Sequence, residues 1–209
     1  MENYLRGCKT IKMKFNFFKY LFFSFTLITL TPVNSLAETT RVEFKTNIGA
    51  FTVELYPDKA PITVANFLQY VKDGFYEKTI FHRVINNFMI QGGGFERDLF
   101  EKPTKEPIKN ESNNGLKNKV GTIAMARTPD PDSATSQFFI NLKDNDFLDY
   151  TSPEPDKIGY CVFGKVTKGM DVVKQIGVSP TGSISRFSDV PIKPIKIIST
   201  TVINSETTE

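Results

Sequence analysis

The stretch 81–95, FHRVINNFMIQGGGF, constrains the fold of this chain more than any other part of the sequence. It predicts a β-hairpin with strands at 81–85 and 88–91 and a turn at Asn86-Asn87. Three glycines follow the second strand. No Gly-Lys-Ser/Thr or G-x-G-x-x-G spacing accompanies them, so they indicate a tight bend or a close backbone approach rather than a phosphate loop.

Side chains of a strand alternate between its two faces, and this alternation gives the hairpin a chemical pattern. It predicts that Phe81 and Arg83 share one face, that His82 points to the other, and that Met89 and Gln91 share a face. In register, the hairpin would set an arginine beside a methionine and a glutamine. A cation among apolar side chains is costly to desolvate, so this pattern indicates a functional surface.

A second strand repeats this pattern. In Ser136-Gln137-Phe138-Phe139 the alternation places Gln137 and Phe139 on one face, which again pairs an amide with an apolar group. Each pair alone is typical of an ordinary sheet. Two such pairs together with Arg83 would line one groove.

The rest of the chain predicts many short strands and two helices. Strands are expected at 42–46, 51–56, 121–126, 136–142, 159–167 and 195–203. Helices are expected at 61–74 and 169–176, the first with an apolar stripe formed by Val64, Phe67, Leu68 and Val71. Loops are expected at 96–119 and 144–158. This pattern is typical of a closed antiparallel barrel with helical plugs.

The first 37 residues have the three parts of a secretory signal peptide, with a basic region, an apolar run at 20–30 and small residues at Ser35 and Ala37. We expect cleavage after Ala37, which leaves residues 38–209 as a soluble periplasmic protein with a core at 41–203. Five of the 26 basic and one of the 23 acidic residues precede residue 38, so the remainder has a net charge of −1. A general nucleic-acid binder is therefore not expected.

The leader has two alternative interpretations. The first is an uncleaved membrane anchor, although the apolar run is shorter than the roughly 20 residues that a spanning helix needs. The second is a start at Met13, which would give a shorter basic region.

Few residues are suited to metal or nucleophilic chemistry. His82 is the only histidine, and Cys161 is the only cysteine after the leader. Zinc sites, a Ser-His-Asp triad and a Cys-His dyad are therefore improbable, and we expect no metal and no cofactor. Cys161 lies in an apolar strand-like run and is expected to be a buried small hydrophobe.

Six stretches occur in a characteristic order. They are FHRVI at 81–85, FMIQGG at 88–93, GTIAMA at 121–126, SQFFI at 136–140, FLD at 147–149 and VFGKV at 162–166. Together they resemble the signature of the cyclophilin-type peptidyl-prolyl cis-trans isomerases over about residues 41–203. The chain is most similar to bacterial periplasmic cyclophilins, through the run Gly-Gly-Gly-Phe and the segment Ala-Met-Ala-Arg.

The resemblance implies a mainly β fold, an eight-stranded antiparallel barrel capped by two helices, with an active groove on its outer face. It implies that Arg83 is the catalytic residue. The implied proline pocket consists of Phe88, Met89, Phe139 and Leu148. The groups implied to hold the peptide are Gln91, Gln137 and the backbone at Ala126 and Arg127.

Three implied site positions depart from the best-known eukaryotic members. Phe147 stands where they usually carry tryptophan, Tyr160 where they usually carry histidine, and Arg127 where they usually carry asparagine, in a loop that is one residue longer. Phe147 and Tyr160 would alter the rim of the pocket, whereas Arg127 would act mainly through its backbone. Phenylalanine has no N–H to donate, so weak binding of the family inhibitor cyclosporin is expected.

Two functions are compatible with these residues. The first is a peptidyl-prolyl isomerase that assists the folding of exported proteins, with proline-containing unfolded or extended polypeptides as partners. The second is a peptide-binding chaperone or adhesion module with incidental isomerase activity. Arg83 and the complete set of pocket residues favour the first, because a pure binder would not need the arginine. A monomer with no membrane contact after cleavage is expected.

Overall fold

The computed structural model describes residues 39–204 of the 209-residue chain. The predicted signal peptide lies outside the described residues. The strands are β1 (Thr40–Thr46), β2 (Gly49–Leu55), β3 (Thr79–Ile85), β4 (Met89–Glu96), β5 (Thr122–Met125), β6 (Phe138–Asn141), β7 (Val162–Lys168), β8 (Thr181–Ile184), β9 (Phe187–Pro191) and β10 (Ile197–Asn204). The helices are α1 (Pro61–Lys72) and α2 (Met170–Gly177). No helix within the described range is both long and apolar enough to cross a membrane.

Eight strands form one antiparallel sheet in the order β10-β1-β2-β7-β5-β6-β4-β3. The two end strands meet where Ile80 faces Lys196 in an isolated antiparallel bridge. Beside it, the amide of Phe81 donates to the carbonyl oxygen of Ile195 at 3.0 Å. The predicted eight-stranded antiparallel barrel with two helices is therefore confirmed.

Aromatic side chains fill the interior of the curled sheet. The largest fully buried ones are Phe44, Phe51, Phe67, Tyr70, Tyr76, Phe81, Phe138 and Phe163. The predicted stripe of α1 faces this core, with Val64, Phe67 and Val71 buried and Leu68 packed against them. Packing of these large rings supplies much of the hydrophobic stabilisation of the fold.

A second apolar cluster lies on the outer face of the same sheet. Its buried members are Met89, Ala124, Phe139 and Val162, which belong to β4, β5, β6 and β7. The inner and outer faces of β5 and β6 are both covered, and for this reason every residue of these two strands is buried. A sheet that faces solvent on one side would instead alternate between buried and exposed residues.

The structure corrects one detail of the predicted hairpin. The sequence predicts that Phe81 and Arg83 share a face, but Phe81 lies in the core with Val84 while Arg83 is exposed. The register of β3 against β4 shifts on both sides of Phe81. Such irregularities interrupt the simple alternation of a strand.

A separate two-stranded hairpin, β8–β9, occupies residues to which the sequence analysis assigns no element. Its strands pair with each other and not with the main sheet. The hairpin packs against β3, the strand that carries Arg83. Residues 181–191 therefore contribute to the surroundings of that arginine.

Candidate active site

A cavity of about 220 Å³ lies over the outer apolar cluster. Nine of the eleven residues expected at the site line it: Arg83, Phe88, Met89, Gln91, Ala126, Arg127, Phe139, Leu148 and Tyr160. Larger clefts, of about 640 and 440 Å³, lie along residues such as Lys78 and Lys196 and beside α2. Of these three clefts, the smaller cavity is the one that joins Arg83 to the outer apolar cluster.

The register of three neighbouring strands explains the position of the polar groups. Arg83 lies opposite Gln91 in the β3–β4 pair, and Gln91 lies opposite Phe139 in the β4–β6 pair. These three residues therefore form a row across the sheet. Met89 lines the same cavity, so the prediction that the arginine, the methionine and the glutamine of the hairpin lie side by side is confirmed.

Two of the expected residues lie beside the cavity rather than in its wall. Gln137 accepts a hydrogen bond from Gln91 Nε2 at 3.0 Å and donates its own Nε2 to Glu101 Oε1 at 3.3 Å. Phe147 is 72% exposed, and its ring stacks on Phe88 with 5.7 Å between centroids. Both residues border the ends of the groove.

The side chain of Arg127 makes contacts at the site, although the sequence predicts that this residue acts mainly through its backbone. Its guanidinium lies 4.7 Å from the centre of the Tyr160 ring, and its Nε donates to the carbonyl oxygen of Gly159 at 3.2 Å. Tyr160 in turn packs edge-to-face on Phe139 at 5.6 Å. Arg127 thus braces one wall of the cavity through a cation–π contact.

Three buried asparagines fix the backbone of the part of the cavity wall that contains Phe88 and Leu148. Asn145 donates to the carbonyl oxygen of Phe88 at 3.0 Å, and Asn118 donates to that of Leu148 at 3.1 Å. Asn141 connects these two amides, since it accepts from Asn145 at 2.7 Å and donates to Asn118 at 3.2 Å. All three asparagines are fully buried. A connected buried network of this kind rigidifies the segments that it joins.

The glycine run permits close packing beside the groove. Gly93 has φ +84°, and a Cβ there would lie 2.7 Å from the Phe138 ring. A Cβ on Gly94 would lie 2.5 Å from the side chain of Gln137. The predicted close backbone approach is therefore confirmed.

His82 and Cys161 are both buried, at 5% and 2% exposure. Burial, with the charge of Arg83 as a second cause, lowers the pKa of His82 to about 4, so the imidazole is neutral near pH 7. Burial raises the pKa of the Cys161 thiol to about 11, which disfavours the nucleophilic thiolate. The prediction that Cys161 is a buried small hydrophobe is confirmed.

The sequence does not predict one charged neighbour of Arg83. Asp189, on β9, places its Oδ2 3.7 Å from the Nε of Arg83. The two residues are separated by more than a hundred positions, and no motif in residues 177–194 marks the aspartate. Asn118, Asn141 and Asn145 were missed for a similar reason, since isolated asparagines in strands and loops have no distinctive spacing.

Comparison with known proteins assigns a family. A model described as "Cyclophilin type peptidyl-prolyl cis-trans isomerase/CLD" matches residues 41–202. A peptidyl-prolyl cis-trans isomerase of Acinetobacter baylyi is 58% identical over 170 residues, which cover 81% of this chain and 88% of the relative. Peptidyl-prolyl cis-trans isomerase B of Escherichia coli is 57% identical over 161 residues, or 77% of this chain and 98% of the relative. A crystal structure of a cyclophilin-type isomerase from Cryptosporidium parvum matches with a TM-score of 0.65 at 26% identity, covering 79% of this chain and 98% of that one.

Proposed function

This chain belongs to the cyclophilin-type peptidyl-prolyl cis-trans isomerases and accelerates rotation about the peptide bond before proline, and we propose that Arg83 is its catalytic group. The observation that carries this proposal is the cavity in which Arg83 meets an apolar floor. The reaction breaks no covalent bond. It needs only a site that binds the twisted peptide better than the planar one.

The barrier to this rotation is about 18–20 kcal/mol, and uncatalysed rotation takes tens to hundreds of seconds. Twisting removes amide resonance, so the prolyl nitrogen gains a lone pair that can accept a hydrogen bond. A donor aimed at that nitrogen stabilises the twisted state more than the planar state. Arg83 suits this role because its guanidinium stays charged and carries several rigidly placed donors.

The proline ring would be gripped by the apolar side chains of Phe88, Met89, Phe139 and Leu148, while the rest of the peptide turns. Exclusion of water from this pocket would strengthen the interaction with the arginine. Gln91 and Gln137 would bind the peptide backbone. The amide of Ala126 already donates to the carbonyl oxygen of Gln137 at 2.9 Å, so we assign the peptide contact at this edge to the amide of Arg127.

Replacement of Arg83 tests the proposal. We expect Arg83→Ala to keep the fold and to lower kcat/KM on a short X–Pro peptide roughly 10²–10³-fold, the usual cost of one preorganised donor. Arg83→Lys keeps the charge without the planar donor array and should fall between wild type and alanine. Arg97→Ala removes an exposed arginine outside the cavity and serves as the control. Wild-type turnover in folded Arg83→Ala would refute this role.

Export would set the substrates of the enzyme. We infer from the basic region, apolar run and small residues of 1–37 that the chain acts on proline-containing exported polypeptides in the periplasm. We propose separately that it acts as a monomer, and that it needs no cofactor because the reaction breaks no covalent bond. N-terminal sequencing of the protein from a periplasmic extract should begin at Glu38. A membrane-bound form that begins at Met1 or Met13 would contradict this proposal.

A further inference from the structure

We propose that Asp189 is a positioning residue for Arg83, and that its carboxylate holds the guanidinium in the orientation that meets the twisted peptide. The inference rests on the proposed catalytic role of Arg83. It gives the β8–β9 hairpin, which lies outside the barrel sheet, a function in the isomerase site.

The geometry of the pair suits orientation more than tight binding. The closest approach, 3.7 Å, joins Asp189 Oδ2 to the Nε of Arg83 and not to its terminal nitrogens. At that distance the contact is an ion pair and not a hydrogen bond. The terminal amino groups therefore stay available for a ligand, while the carboxylate of Asp189 contacts the guanidinium on its Nε side.

The backbone of Asp189 adds an independent observation. Its φ is +60°, in the left-handed region that residues other than glycine rarely adopt. Of the five non-glycine residues with positive φ among residues 39–204, only Asp189 lies inside a strand. The register of β8 against β9 shifts between Val190 and Phe187, on either side of Asp189, and such β-bulges redirect a side chain and are common next to active sites.

The neighbours of Asp189 hold this conformation. Phe187, two residues earlier, packs edge-to-face on Phe95 at 5.1 Å, and Val190 is 3% exposed. Phe95 also contacts the ring of His82 at 4.6 Å, next to Arg83 in β3. Apolar contacts on either side of Asp189 thus fix the hairpin against the strand that carries the arginine.

The variant Asp189→Gly removes the carboxylate and also relieves the left-handed backbone. We expect kcat to fall about two- to fivefold with KM nearly unchanged, in line with the modest strength of exposed ion pairs. The melting temperature should stay equal or rise, because glycine adopts positive φ without strain. Opposite changes in activity and stability would separate positioning from a structural role.

Ser185→Gly is the matched control. Ser185 has φ +52° in the turn of the same hairpin and is exposed, so glycine there relieves a similar backbone without touching Arg83. We expect this variant to keep wild-type kcat. An equal loss of kcat in both variants would show that hairpin flexibility is the cause, and would overturn the role of Asp189.

A double-mutant cycle with Arg83→Ala separates this inference from the function on which it rests. If Asp189 acts through Arg83, then Asp189→Gly should have no further effect once Arg83 is alanine. A full effect in that background would overturn the inference. Normal kcat in Asp189→Gly beside a severe loss in Arg83→Ala would also overturn it and leave the catalytic role of Arg83 intact. Wild-type activity in Arg83→Ala would instead refute the proposed function.

Charge, rather than shape, is tested by Asp189→Asn. Asparagine keeps the size and tolerates the left-handed backbone, but it has no negative charge. We expect part of the loss seen in Asp189→Gly, and the gap to wild type should narrow at 1 M salt, where exposed charges are screened within about 3 Å. A gap that is independent of salt would contradict an electrostatic contact.

Discussion

At the scale of single residues, the groove ends in an exposed ring. Phe147 lies outside the cavity wall and stacks on Phe88, so it meets only ligands that extend beyond the proline ring. A large cyclic peptide such as cyclosporin would reach it, whereas a short substrate would not. Its identity should therefore affect inhibitor binding more than turnover.

We predict weak cyclosporin inhibition that Phe147→Trp strengthens by up to roughly tenfold. In sensitive family members an indole at this position donates a hydrogen bond to the drug, and one such bond contributes about 0.5–1.5 kcal/mol. Activity on short peptides should change little. Titration of both forms in the isomerase assay measures the difference, with Ile198→Trp as a control that adds an indole on an exposed site outside the cavity. Equal inhibition constants would point to Tyr160 or the loop after Arg127 instead.

The residues that the sequence could identify are those in local patterns. Arg83, Met89 and Gln91 belong to one predicted hairpin, so alternation together with an in-register pairing of its strands was enough to bring them together. Asp189 meets Arg83 only because a distant hairpin folds onto β3. Contacts of this kind depend on the packing of whole elements, and no local spacing encodes them.

At the scale of elements, α1 depends on a residue far from it in sequence. Ala60 at the N-cap makes no side-chain hydrogen bond to the helix. Instead the carboxylate of Glu111 accepts hydrogen bonds from the amides of Ile62 and Thr63 at 3.1 and 2.8 Å. It also accepts from the Thr63 hydroxyl at 2.7 Å. A negative charge here also complements the positive end of the helix dipole.

Loss of this external cap should destabilise the protein without altering the site. We predict that Glu111→Ala lowers the free energy of unfolding by about 1–2 kcal/mol, as for other lost helix caps. This corresponds to a melting temperature lower by about 2–8 °C for a chain of this size. Glu106→Ala, an exposed carboxylate of the same loop, is the control and should change little. Equal melting temperatures for the two variants would mean that water replaces the cap.

Prediction of elements succeeded where hydrophobic periodicity was strong. Helix α1 carries a clear apolar stripe, and the strands of the barrel sheet are rich in β-branched and aromatic residues. Most observed bounds lie within three residues of the predicted ones, but β4 continues through the glycine run to Glu96, five residues beyond its predicted end. The β8–β9 hairpin has no such signal, since all four residues of β8 are exposed. The face of Phe81 was predicted wrongly because register shifts in β3 interrupt the alternation.

At the scale of the whole molecule, one sheet supports two apolar surfaces. The inner face packs on the helices and the aromatic core, and the outer face forms the floor of the cavity. Substitutions in β5 or β6 therefore affect stability and the site together. Ionisable side chains are few among the buried residues, and His82 is the one whose ordinary pKa lies near neutral pH.

The buried histidine should make global stability depend on pH. The pKa of His82 is about 4 in the folded protein against 6.5 for the free side chain, so between these values the unfolded chain binds a proton that the folded chain does not. Stability must then fall as the pH drops from about 6.5 to 4. The full shift corresponds to at most about 3 kcal/mol.

We predict that His82→Phe removes this component of the pH dependence. Urea unfolding at several pH values between 7 and 4 should show a smaller loss of stability in the variant, because phenylalanine does not titrate. The substitution also removes a buried Nδ1 that has no hydrogen-bond partner among the described residues. Carboxylates contribute in the lower part of this range, but they are present in both proteins and cancel in the difference. Because His82 is the only histidine of the chain, its NMR signals can be followed without ambiguity, and they should titrate near pH 4 in the folded enzyme. Parallel stability curves for the two proteins would show that the imidazole is protonated without penalty, and that solvent reaches it in the native state.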